Sequence, residues 1–130
     1  MKFVTKEIIA TGIILPLIIL FYIKLMSPNS YSINETRFNL TRAKMTPVES
    51  AIEAYHINTS QYPVELEDMV KCPAGLEDLW KGPYLREIQL YDPWERPYIY
   101  NLTNDGYELI SYGADGLPGG EGYNEDIYND

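Results

Sequence analysis

Residues 98–113 read YIYNLTNDGYELISYG, and the fold is decided there. Tyr98 and Tyr100 alternate with Ile99, while Tyr107, Leu109 and Ser111 alternate with Glu108, Ile110 and Tyr112. A period of two is the signature of a strand with one buried face. Asn104-Asp105-Gly106 between the two runs supplies a tight turn. The stretch predicts an antiparallel hairpin with strands at 98–102 and 107–113 and one face free to pack on a helix. Its tyrosines suit a small sheet with wet edges, because each ring buries its body and keeps its hydroxyl hydrated.

Upstream, residues 31–56 are helix-compatible, with Val48, Ile52 and Tyr55 at i, i+4 and i+7 and Ala51 and Ala54 on the same side. Thr46-Pro47-Val48-Glu49 has the form of a helix start, with Thr46 as N-cap, Pro47 at the first helical position and Glu49 closing a capping box. Either one kinked rod or two pieces meeting near Thr46 satisfies the pattern. NTSQYP (58–63) ends the helix, and VELEDMV (64–70) and AGLEDLW (74–80), separated by Pro73, predict a loop with one or two small helices.

Residues 8–23, IIATGIILPLIILFYI, carry no charge and lie between Lys2, Lys6 and Glu7 on one side and Lys24 on the other. The run is short against the ~20 residues that span a bilayer, but Lys24 can snorkel, and Leu25 and Met26 extend it. A single membrane helix fits best. A cleaved secretory signal is the competing reading, although SPNSYSIN (27–34) offers no good Ala-x-Ala site. Lys2 and Lys6 keep the N-terminus cytoplasmic and place the rest outside. The expected division is a membrane and polymerisation helix over 1–26 and an extracytoplasmic domain over 27–130. Pro16 predicts a kink or a melted turn, and Glu7 sits either at the interface beside Lys6 or in a functional pairing.

The net charge of −9 excludes nucleic acid as a partner, since phosphate binding needs a basic face. After Arg96 no Lys or Arg follows, while Asp105, Glu108, Asp115, Glu121, Glu125, Asp126 and Asp130 account for seven of the nine excess charges. One cysteine, Cys72, permits no internal disulfide, and the single His56 rules out a two-imidazole zinc site. Cys72 with His56 as base is the one nucleophilic pairing on offer. No Gly-x-Ser-x-Gly elbow, phosphate loop or His-Glu-x-x-His occurs, so the chain does not read as an enzyme. Asn34, Asn39, Asn58 and Asn101 head Asn-x-Ser/Thr sequons, read as chance in an asparagine-rich chain.

The chain closes on SYGADGLPGGEGYNEDIYND (111–130). Asp115, Glu121, Glu125 and Asp126 repel unless a cation neutralises them. Calcium accepts ~6–8 oxygen ligands from carboxylates and carbonyls in irregular loops, and the glycines let carbonyls turn inward. The alternative is a disordered acidic tail. An EF-hand fails, because its third and fifth positions fall on Leu117 and Gly119, and a single Gly-Gly-x-Gly nonapeptide lacks the repeats that fold requires.

AIEAYHINTSQYP, GLEDLWKGPYL, DPWERPYIY and YELISYGADGLPGGEGYNEDI, in this order between about Ala43 and Ile127, resemble the major pseudopilin family of bacterial type II secretion systems. The resemblance implies a pilin-like α+β fold: a long N-terminal helix, membrane-inserted in its first part, packed on a small antiparallel sheet with a C-terminal calcium-binding loop. It implies side-chain calcium ligands at Asp115 and Asp126, with Glu125 where some members have aspartate, and carbonyl ligands near Tyr112 and Tyr123. It implies subunits that polymerise helically, with other pseudopilins and an inner-membrane assembly platform, into a periplasmic pseudopilus that pushes folded proteins through the outer membrane. The readings set beside it are a membrane-anchored calcium-binding module that does not polymerise and a minor pilin-like subunit. Family members carry Gly-Phe at a processing point with a glutamate four residues on; Phe3 and Glu7 keep that spacing, but Lys2 replaces the glycine. Processing and N-methylation at Phe3 therefore lack their usual signal. The chain also departs at its end, with Ile127-Tyr128-Asn129-Asp130 for the family's Ile-Gly-Asn-Trp.

Overall fold

The computed structural model describes residues 4–26 and 30–129, with side chains described for 14–26 and 32–129. Phe3 and the side chain of Glu7 lie outside that set. The chain divides into two compact units, Met1–Ile33 and Asn34–Asp130.

In the first unit, helix α1 (Val4–Met26) runs through Pro16 as one element, so the melted turn expected there does not form. Its described large apolar side chains are exposed, from Ile18 at 49% to Met26 at 81%. Among the described residues no helix is long and apolar enough to cross a membrane. Six of the sixteen residues of the apolar run at 8–23 have side chains outside that set.

Helix α2 (Ser30–Thr59) passes through Pro47 without a new start. Thr46 is no N-cap: its hydroxyl donates back to the Arg42 carbonyl at 3.1 Å, and Ser50 donates to the Thr46 carbonyl at 2.9 Å. Packing explains the continuity. Met45, Val48, Ile52 and Tyr55 lie on one face and are each at most 1% exposed. Burying a large apolar side chain contributes roughly 1.5–3 kcal/mol, so four of them exceed the ~3 kcal/mol that an interior proline costs.

Past Thr59 the chain makes a 3₁₀ turn at Leu66–Met69, which buries both of its ends and is capped by Asp68 accepting from the Val64 and Glu65 amides. Residues 74–80 form hydrogen-bonded turns rather than a helix, and the Trp80 indole donates to the Asp68 carbonyl at 3.0 Å. A second 3₁₀ turn, Glu87–Leu90, leads to the sheet.

Strands β1 (Ile99–Leu102) and β2 (Tyr107–Ser111) form the expected hairpin, paired Ile99↔Ile110 through Leu102↔Tyr107. A third strand, β3 (Ile127–Tyr128), was not expected; it adds antiparallel to β2 and gives the order β1-β2-β3. The face of α2 packs with Leu66, Met69, Leu85, Leu90, Tyr98, Leu109 and Ile127 in one core.

Three tyrosines, Tyr98 just before β1, Tyr100 in β1 and Tyr107 in β2, give this core an alkaline limit. Burial raises Tyr98 and Tyr100 well above the ordinary phenol value, and burial followed by Glu53 and Glu49 pushes Tyr107 up to about 12. A phenol whose folded-state pKa is raised contributes stability that is complete below its unfolded value near 10 and lost as pH rises through the folded value. The melting temperature is therefore expected to hold to about pH 9.5 and to fall progressively from pH 10 to 12. Tyrosinate absorbance should show a buried subset ionising late; joint ionisation of all twelve tyrosines near pH 10 in the folded protein would contradict this.

Candidate metal loop

The acidic stretch is an ordered loop between β2 and β3. It leaves the sheet through Gly113 at φ 56°, where a Cβ would sit 2.7 Å from the Glu125 carbonyl oxygen and 2.8 Å from that of Tyr123. The two limbs of the loop meet at this point, and only glycine permits it. The Ala114 amide donates to the Tyr123 carbonyl at 2.7 Å, and the Gly116 amide to the Tyr112 carbonyl at 3.0 Å. The Tyr123 ring sets its edge against Phe38 of α2, with centroids 6.0 Å apart.

The far end is tied to the sheet. Ile127 is 3% exposed and inserts into the core. Asn129 exchanges two hydrogen bonds with Leu109, its amide donating at 3.0 Å and its side-chain oxygen accepting at 2.8 Å. The atypical terminal sequence thus continues the β2 ladder by one residue through a side chain that mimics backbone.

A buried polar cluster secures the near end. Asp92 is 3% exposed. Its Oδ1 accepts from the Trp94 amide at 2.8 Å and the Arg96 amide at 3.0 Å, and its Oδ2 accepts from the Ser111 hydroxyl at 2.8 Å. The Trp94 indole donates to Asn34 Oδ1 at 3.2 Å. Arg96 lies over the Trp94 ring and pairs with Asp92 at 3.8 Å; its Nη1 donates to the Ala114 carbonyl at 3.4 Å and its Nη2 to the Gly113 carbonyl.

The five residues expected to hold calcium are all in this loop, and the structure places them as follows. Asp126 is half-buried: its Oδ2 accepts from the Gly119 amide at 2.8 Å and from the Tyr128 hydroxyl at 3.4 Å, while its Oδ1 is buried with no partner. Burial, and then Asp126, raise the Tyr128 phenol above its ordinary value. Glu125 and Asp126 line a cleft of ≈ 410 Å³ together with Arg42, Gly119, Gly120, Tyr128 and Asn129. Asp115 is exposed, its Oδ1 accepting from the Leu117 amide at 3.1 Å, and it is not among the residues lining that cleft. The Tyr112 and Tyr123 carbonyls accept the Gly116 and Ala114 amides. Among the described residues no group of three or more His, Cys, Asp or Glu is gathered to hold a metal ion. The donors fit a hard cation in type, with the orphaned Asp126 Oδ1 as the strongest local demand for one.

No reactive thiol is found at the other candidate centre. Cys72 donates to the Pro73 carbonyl at 3.4 Å, and burial followed by Glu77 raises its pKa, the reverse of an activated thiolate. The His56 ring stacks on Tyr62 with centroids 4.1 Å apart.

Residues 30–130 match the family described as Type II secretion system (T2SS), protein G. The chain belongs to the type II secretion system protein G family. The core protein G of Xanthomonas campestris is 37% identical over 91 residues, covering 68% of this chain and 63% of that protein. That of Pseudomonas aeruginosa is 31% identical over 104 residues, covering 74% and 72%. The Vibrio cholerae protein is 34% identical over 89 residues, covering 63% and 60%. The chain thus spans less than two thirds of the Xanthomonas and Vibrio proteins. The solved major pseudopilin of enterohaemorrhagic Escherichia coli shares the fold, with a TM-score of 0.58 at 23% identity over 80% of this chain and 96% of that one.

In this protein G family chain, sequence reasoning missed Asp92 and Arg96 as loop anchors. The signal was present: Arg96 is the last cation before seven carboxylates. It went unread because no local spacing places a residue of the 92–97 block beside residues 113–116.

Proposed function

We propose that the chain is the structural subunit of a type II secretion pseudopilus. It polymerises helically through α1, with other pseudopilins and an inner-membrane assembly platform, and drives folded proteins across the outer membrane. The observation that carries this is the pairing of the family match over residues 30–130 and a shared pseudopilin fold with a helix whose described apolar side chains all stand exposed. Such a surface needs lipid or other copies of itself, and a repeated heterologous contact builds an open filament. In this reading α1 spans the inner membrane with its N-terminus cytoplasmic, the second unit is periplasmic, and no catalytic step is involved.

The full chain, produced together with a type II assembly system, is expected to yield filaments and crosslinks between Ile18→Cys copies. Absence of both would leave a membrane-anchored module that does not polymerise.

The same reading includes a calcium ion held by Asp126, Glu125 and Asp115 with the Tyr112 and Tyr123 carbonyls. The ion would neutralise the carboxylates and draw the limbs of the loop together. Saturating calcium at 100 times its dissociation constant stabilises by about 2.7 kcal/mol, which raises the melting temperature by roughly 10–20 °C for a domain of this size. Asp126→Asn is expected to abolish that rise, and an unchanged rise in this variant would rule out the assignment.

A further inference from the structure

Arg96 stands where a second cation would be looked for. It is the last basic residue of the chain, and its side chain reaches the opening of the acidic loop. Nη1 and Nη2 donate to successive carbonyls, those of Ala114 and Gly113. Gly116, at φ 71°, passes so close that an added Cβ would collide with the guanidinium. The arginine is itself held from behind. Asp92 accepts its amide at 3.0 Å and faces its Nε at 3.8 Å, the Trp94 ring lies beneath it, and Ser111 at the end of β2 binds the same carboxylate at 2.8 Å. A planar fork with two donors on neighbouring carbonyls fixes the orientation of both peptide planes, which a point charge does not. On the second limb the Asp126 Oδ1 is buried without a partner, and the cleft beside it is lined by Glu125, Asp126 and Arg42.

We propose that Arg96 is a positioning residue that acts as the loop's resident cation, setting the turn at 112–116 without any bound ion, so that a divalent cation meets that half of its site already in place and has the limb at 119–126 left to order. The second clause rests on the calcium reading above; the first does not. It follows that the sheet and the first turn keep their form when calcium is scarce, and that ion binding completes a half-built site instead of folding the loop from disorder. Preset geometry lowers the ordering that binding must accomplish, so losing Arg96 weakens calcium binding although Arg96 never touches the ion.

The test is amide hydrogen exchange on the full chain in detergent micelles, with calcium or with chelator. The amides of Ala114 and Gly116 report the first turn, that of Gly119 the second limb, and that of Ile52 global stability. In chelator, Ala114 and Gly116 are expected to be protected in the unaltered protein. Calcium is expected to add more protection at Gly119 than at Ala114 or Gly116, which Arg96 already holds. Arg96→Gln and Arg96→Lys are both expected to speed exchange at Ala114 and Gly116 by about tenfold or more in chelator, with Ile52 unchanged, and to weaken calcium affinity by about tenfold. Unprotected Ala114 and Gly116 in chelator, or wild-type exchange in Arg96→Gln, would overturn the proposal. Full rescue by lysine would overturn the fork and leave charge alone. If calcium changes no amide while both variants still free Ala114 and Gly116, the calcium reading fails and the role of Arg96 stands.

Discussion

Asp92→Ala is expected to destabilise the protein by roughly 3–5 kcal/mol, enough to lower the melting temperature by about 15 °C or more in a domain of this size. The carboxylate is 3% exposed and serves three donors, the Trp94 and Arg96 amides and the Ser111 hydroxyl. Alanine leaves all three without an acceptor, and each buried unsatisfied group costs about 1–3 kcal/mol. It also removes the carboxylate that the Arg96 guanidinium faces at 3.8 Å. Asp92→Asn keeps the shape and one acceptor oxygen, and should lose only about 1–2 kcal/mol. Urea unfolding monitored by Trp fluorescence measures both. A loss below about 1 kcal/mol for the alanine variant would mean that water replaces the cluster at little penalty.

Ile52→Ala is expected to lose about 3–4 kcal/mol, against less than about 0.5 kcal/mol for Ile57→Ala on the same helix. Ile52 is 0% exposed at the centre of the face that α2 presents to the core, and Ile57 is 78% exposed. The chemistry removed is identical and both sites are helical, so helix propensity cancels in the comparison. What differs is the cavity: at Ile52 the truncation opens a void among Met45, Val48, Tyr55 and their partners across the core, and at Ile57 water fills the space. Comparable losses at the two sites would show that intrinsic helix stability, and not burial, governs α2.

The parts of the fold that were legible in the sequence are those with a local period or a local turn. The hairpin was readable because alternation over Tyr107, Leu109 and Ser111 and the turn at Asn104-Asp105-Gly106 lie within sixteen consecutive residues. The buried face of α2 was readable from Val48, Ile52 and Tyr55. The path through Pro47 was not, because a capping sequence and a helix interior compete locally and only the core behind Met45 and Val48 decides between them. Strand β3 was not readable either. Two residues carry no periodicity, and Ile127 becomes a strand residue only where Ser111 offers it a partner.

The loop divides in the same way. That its donors are oxygen, dense and suited to a hard cation is written in the residues, and the family resemblance selected Asp115, Glu125 and Asp126 among them. The structure adds which carboxylate oxygen is short of a partner, Asp126 Oδ1, and which side chain binds the carbonyls at the loop's opening, that of Arg96. Membership of the type II secretion protein G family agrees with the resemblance carried by the blocks between Ala43 and Ile127.

By itself the sequence determined the class of the protein: an apolar helix, an amphipathic helix, a tyrosine-rich hairpin and a carboxylate-dense end. Each is a matter of which residues recur at which local interval, and local intervals need no partner to be read. Only the tertiary structure decided that the acidic end is anchored and how. Gly113 against Glu125, Arg96 against Gly113 and Ala114, and Asn129 against Leu109 join residues twelve to twenty apart. Contacts at that separation are chosen by the packed core, because their loop-closure entropy is recovered only when the whole sheet forms.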